Sequence, residues 1–86
     1  SRNNAAGLRY LEGHCHELGL EIVPSSANFV LVRVGEGQRA FARLQKAGII
    51  VRPMGSYQLP EWIRISVGTP EENERCLEVL DRVLAH

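Results

Sequence analysis

The spacing of apolar residues divides the chain into helical and extended stretches. Leu8, Leu11, Cys15 and Leu18 recur at steps of three and four, which is one face of a helix over residues 4–19. Gly19 is placed to end it. A short extended piece follows at Glu21-Ile22-Val23, and Pro24-Ser25-Ser26 breaks it. Asn28 to Val34 is a run of β-branched and aromatic residues, apolar on both faces, which predicts a strand inside a sheet rather than at its edge. Gly35-Glu36-Gly37 reads as a turn. The spacing then predicts a helix over 37–47 with Ala40, Phe41, Leu44 and Ala47 inward and Gly48 as its stop.

Ile49 to Arg52 predicts a second main strand, limited by Pro53, which cannot donate to a ladder. Residues 54–61 read as a loop. Trp62 to Val67 alternates cleanly: Ile63, Ile65 and Val67 point one way, and Trp62, Arg64 and Ser66 the other. Thr69-Pro70-Glu71-Glu72 is a helix start, with Thr69 as cap, Pro70 in the first turn and Glu72 closing a capping box. That helix is expected over 70–85, with Cys76, Leu77, Leu80, Val83 and Leu84 inward. The order α, short β, β, α, β, β, α predicts an α/β (α+β) domain: a small, mainly antiparallel sheet with three helices packed on one face. The other face carries Trp62, Arg64 and Ser66, and Arg52 is expected beside them. With no helix over it, that face is expected to meet another domain, a partner or a ligand.

At 86 residues the chain is one small domain. Ten basic side chains balance ten acidic ones, so net charge gives no reason to expect nucleic acid or an anionic membrane as partner. Nine of the ten basic residues are arginine, the side chain that grips carboxylate or phosphate with two parallel hydrogen bonds; Lys46 is the one lysine. Cys15 and Cys76 fall on apolar helix positions and are expected as buried free thiols. His14 and His16 flank Cys15 and diverge on a helix, which does not build a metal site. No glycine-rich phosphate cradle is present, and Ser25 and Ser26 have no base nearby in sequence. No catalytic residue and no metal ligand are assigned. Arg64, in mid-strand, must reach solvent, pair with a carboxylate or hold an anion. Arg52 poses the same question, and two arginines on adjacent strands of one face would clamp a phosphate, a carboxylate or both.

Three segments, GLEIVPSSANFVLV (19–32), GIIVRPMGSYQLPEWIRISVGT (48–69) and EENERCLEVL (71–80), together resemble the C-terminal small domain of the histidinol-phosphate aminotransferases, within the fold type I aminotransferases. The resemblance covers residues 5–85. It implies that Arg64, in WIRISVGT, binds the anionic end of the substrate and that Arg52, in IIVRPM, is a second arginine of the phosphate-binding region. It implies a parent enzyme of histidine biosynthesis that is cytoplasmic, homodimeric and pyridoxal-phosphate-dependent, and that exchanges an amino group between glutamate and imidazole-acetol phosphate. Such enzymes hold the cofactor on a lysine, and Lys46 lies outside any matching context. The chain is therefore expected to be a small C-terminal domain, 1–86, without the large cofactor-binding domain and inactive by itself. Its exposed face is expected to drive self-association, which a monomer by light scattering at millimolar concentration would contradict. Two alternatives stand beside this reading: the same domain of an aromatic-amino-acid aminotransferase, and a free-standing ferredoxin-like ligand-binding module.

Overall fold

The computed structural model describes residues 2–85, with no side-chain description for 2, 3 and 85. Its elements follow the expected order: α1 (Arg2–Glu17), β1 (Ile22–Pro24), β2 (Phe29–Arg33), α2 (Gly37–Lys46), β3 (Val51–Pro53), a 3-10 turn at Gly55–Tyr57, β4 (Trp62–Ser66) and α3 (Pro70–Ala85). The four strands form one sheet in the order β1-β2-β4-β3. Every neighbouring pair is antiparallel, so the sheet is wholly rather than mainly so. Strand β4 is inserted between β2 and β3, which the α2 crossover connects.

Alternation decides which side chains meet the helices. Val30, Val32, Val51, Ile63 and Ile65 face inward and are buried with Leu11, Cys15, Leu44, Cys76 and Leu80 from the three helices. Each large aliphatic chain buried this way contributes roughly 1.5–3 kcal/mol relative to exposure. The expected inner faces of α2 and α3 are as predicted. Leu18 differs: α1 ends at Glu17, and Leu18 falls in the following turn, 38% exposed. Gly19 and Gly48 take φ of +78° and +86° after their helices, the left-handed conformation in which glycine has no Cβ penalty.

The two edge strands lie later in sequence than expected. β1 covers 22–24 rather than 21–23, and β3 covers 51–53 rather than 49–52. Each includes the proline expected to limit it, Pro24 opposite Val30 and Pro53 opposite Ile63. The missing N–H costs little at an edge, where one side of the strand has no ladder to feed.

The start of α3 is fixed as the sequence indicates. Thr69 Oγ1 accepts the Glu72 N–H at 3.2 Å, and Glu72 Oε1 accepts the Thr69 N–H at 2.8 Å. One buried polar side chain was not anticipated. Asn73, 3% exposed, accepts the Gly68 N–H at 2.8 Å and donates to the Gly68 carbonyl at 3.2 Å, fastening the first turn of α3 to the end of β4. Both its polar groups are satisfied, so its burial carries no unpaired-group penalty.

Candidate anion-binding face

The sheet face opposite the helices is built by strand register. Arg64 on β4 lies opposite Leu31 on β2 and, across its other edge, opposite Arg52 on β3. Leu31 in turn pairs with Val23 on β1, so one transverse row reads Val23, Leu31, Arg64, Arg52. The rows on either side pair Phe29 with Ser66 and Arg33 with Trp62. The alternation of residues 62–67 thus places Trp62, Arg64 and Ser66 as expected, and Arg52 joins them on the same face.

Three arginines stand on this face in two different electrostatic settings. Arg33 is neutralised. Its Nε donates to Glu61 Oε1 at 2.8 Å, its Nη2 lies 2.7 Å from the same oxygen, and its Nη1 reaches Glu21 Oε1 at 3.3 Å. Hydrogen bonding to Glu61, then to Glu21, holds its guanidinium above the usual arginine range. Arg52 and Arg64 have no such partners: among the described residues the ion pairs are His14–Glu17, Arg33–Glu21 and Arg33–Glu61. Two like charges directly opposite on neighbouring strands repel. Arg64 is also half-buried, between Ile63 and Ile65 at 0% and 1% exposure. Its guanidinium carbon lies 4.5 Å from the centre of the Phe29 ring. A cation over an aromatic face gains about 0.5–2 kcal/mol. The sequence places Phe29 only within an apolar strand; the diagonal step from β2 to β4 that brings it to Arg64 follows from the register.

The remaining titratable groups do not extend this site. Lys46 is exposed at the end of α2, on the helical side of the sheet and away from the arginines. His14 is exposed beside Glu17 at 3.0 Å, and His16 is exposed too. Both cysteines are free and buried. Burial pushes the Cys15 thiol up to about 11; burial, then the proximity of Cys15, pushes Cys76 up to about 12. Neither offers a reactive thiolate at neutral pH. A concavity of about 350 Å³ lies between α2 and the end of α3, lined by Glu36, Arg39, Val83 and Leu84 among others, and takes in neither Arg52 nor Arg64. The two arginines stand on an open face rather than in a pocket.

Residues 5–80 match the family model of aminotransferase class I and II. The chain belongs to the class I and II aminotransferases. It is 54% identical over 82 residues to histidinol-phosphate aminotransferase of Akkermansia muciniphila, and 55% identical over 86 residues to histidinol-phosphate aminotransferase 2 of Ralstonia nicotianae. Each match covers 95% of this chain and 23% of the relative, so the chain spans under a quarter of their length. Its fold superposes on a crystal structure from Burkholderia pseudomallei, assigned as an aminotransferase, with a TM-score of 0.81 and 37% identity, over 92% of this chain and 24% of that one. No described helix is long and apolar enough to cross a membrane.

Aminotransferases of this family depend on pyridoxal phosphate, whose amino-transfer chemistry needs a lysine amine to hold it. The described residues do not fit that role. Lys46 and the arginine face lie on opposite sides of the sheet, and no described lysine stands near Arg52 or Arg64. Among the described residues this face carries two arginines without ion-pair partners and no cofactor-holding amine.

Proposed function

We propose that this chain, 1–86, is the small C-terminal domain of a pyridoxal-phosphate-dependent histidinol-phosphate aminotransferase of histidine biosynthesis, and that Arg52 and Arg64 hold the anionic end of its substrates. The observation that carries this is the pair itself: two arginines in direct cross-strand register, on a face without a helix, with no carboxylate of the described residues paired to either. Like charges are held together at a cost. A dianion between them reverses that cost, and a planar fork accepts phosphate and carboxylate alike. A reaction that takes a phosphorylated imidazole substrate and glutamate in turn, as the resemblance implies, needs a site tolerant of both anions.

The residues divide the work simply. Arg64, half-buried and central, binds and orients; Arg52, exposed at the sheet edge, adds charge and completes the clamp. Another part of the parent closes over the face and supplies the cofactor lysine. The proposal includes a homodimeric, cytoplasmic parent; two unpaired buried cysteines fit a reducing compartment. It also holds that this chain alone has no transaminase activity.

The reading is tested with the intact parent enzyme. Histidinol phosphate is expected to be turned over with a much higher kcat/KM than phenylalanine, and a large preference for phenylalanine would overturn the substrate assignment. A pyridoxal-phosphate absorbance shift that depends on Lys46 in this chain, with turnover of glutamate, would overturn the division of labour.

A further inference from the structure

We propose that Phe29 is a positioning residue for the anion site: its ring holds the Arg64 guanidinium by the flat face and so leaves the in-plane N–H groups free for the substrate's phosphate or carboxylate. The inference rests on the reading of Arg64 as an anion-binding residue. On one side the register gives Arg64 an apolar neighbour, Leu31, and on the other a like charge, Arg52. Neither can accept a hydrogen bond from it. A long side chain with no acceptor is left to sample many rotamers, and ordering it when substrate arrives costs affinity. The group that restrains it is the Phe29 ring, 4.5 Å from its guanidinium carbon.

A carboxylate partner would restrain the arginine too, but at the expense of the donors. Arg33 shows this on the same sheet face, where Nε, Nη1 and Nη2 all point to glutamate oxygens. An aromatic ring engages the cation through its face and competes for none of the donors that lie in the guanidinium plane. The backbone that carries the ring is itself anchored. Phe29 is half-buried and paired with Ser66 on β4, and its carbonyl accepts the N–H groups of Ser25 and Ser26 at 3.3 and 3.2 Å. Phe29 therefore prepares Arg64 for an anion without neutralising it.

The test uses the 86-residue chain, inorganic phosphate as probe, and the arginine side-chain Nε–H signals in NMR. In the unsubstituted chain the Arg64 Nε–H proton is expected upfield of the other arginines, displaced by the ring current; an undisplaced signal overturns the proposal without any variant. Phe29→Tyr keeps the displacement and the phosphate midpoint within about twofold. Phe29→Leu, with its amide spectrum otherwise preserved, loses the displacement and weakens phosphate binding roughly three- to tenfold. An unchanged midpoint in that variant overturns the positioning role, and should Phe29→Leu unfold, the native signal and the Tyr variant still decide. Arg64→Ala separates the two layers: undiminished phosphate binding there removes the anion site itself, whereas loss there combined with an indifferent Phe29→Leu removes only the role of Phe29.

Discussion

Arg33 and Arg64 sit on one sheet face, on neighbouring strands, with opposite fates. Arg33, near the entrance to β4, meets Glu21 and Glu61 and is consumed by them. Arg64, two residues further along β4 than Arg33's cross-strand neighbour Trp62, meets Leu31, Arg52 and the Phe29 ring. The lesson is that an arginine's residue type says little about binding; its neighbours decide. Where carboxylates are supplied, the guanidinium fastens strands together. Where they are withheld and a second cation is placed opposite, the guanidinium keeps its charge uncompensated, and that is the position we propose for an anion from elsewhere.

The sharpest way to break this comparison is to remove each arginine from the intact parent enzyme. Arg64→Ala is expected to lower kcat/KM for the phosphorylated substrate roughly a hundredfold or more, because it strips a charge-assisted, partly desolvated contact. Arg33→Ala is expected to leave kcat/KM nearly unchanged. Comparable losses from both would erase the distinction.

A smaller effect separates them by sign. Thermal unfolding of this chain at low salt should show Arg52→Gln slightly stabilising, by about 0.5 kcal/mol, because it relieves the repulsion with Arg64. Arg33→Gln should be slightly destabilising, and added salt should shrink both shifts. Destabilisation by Arg52→Gln of the same size as by Arg33→Gln would mean that Arg52 has a structural partner after all.

A separate effect, confined to alkaline pH, lies in the helix-covered core, and it sharpens the contrast between that core and the open face. Cys15 and Cys76 have thiols raised from the ordinary 9.0 to about 11 and about 12. Between those values the unfolded chain has lost protons that the folded chain retains. Their contribution to stability is thus full below pH 9.0 and is lost as pH rises through 11 and 12. Melting temperatures should fall progressively above pH 9.0, and the fall should be shallower in Cys76→Ala than in the unsubstituted chain at the same pH. Identical slopes would show that the thiols do not titrate with unfolding.

Much of this was legible in the sequence, for reasons that particular residues make clear. The period of two at 62–67 put Arg64 on the uncovered face before any coordinates, because alternation follows from strand geometry alone. The capping box at Thr69 and Glu72 was equally local. Asn73 was missed, though a signal existed: it lies four residues after Thr69 and three before Cys76, on the inward stripe of α3. The edge strands were displaced because Pro24 and Pro53 were read as breaks, and only the sheet order shows that both lie at edges. The Arg52–Arg64 pairing, the consumption of Arg33 and the contact of Phe29 with Arg64 depend on register between distant segments, which no local pattern encodes.

The most direct measurement is a phosphate titration of this chain, followed at every arginine side chain by NMR. The account predicts that the Arg52 and Arg64 signals move together with one midpoint, while Arg33 stays still. Movement of Arg33 to the same extent, or silence at Arg64, would contradict it.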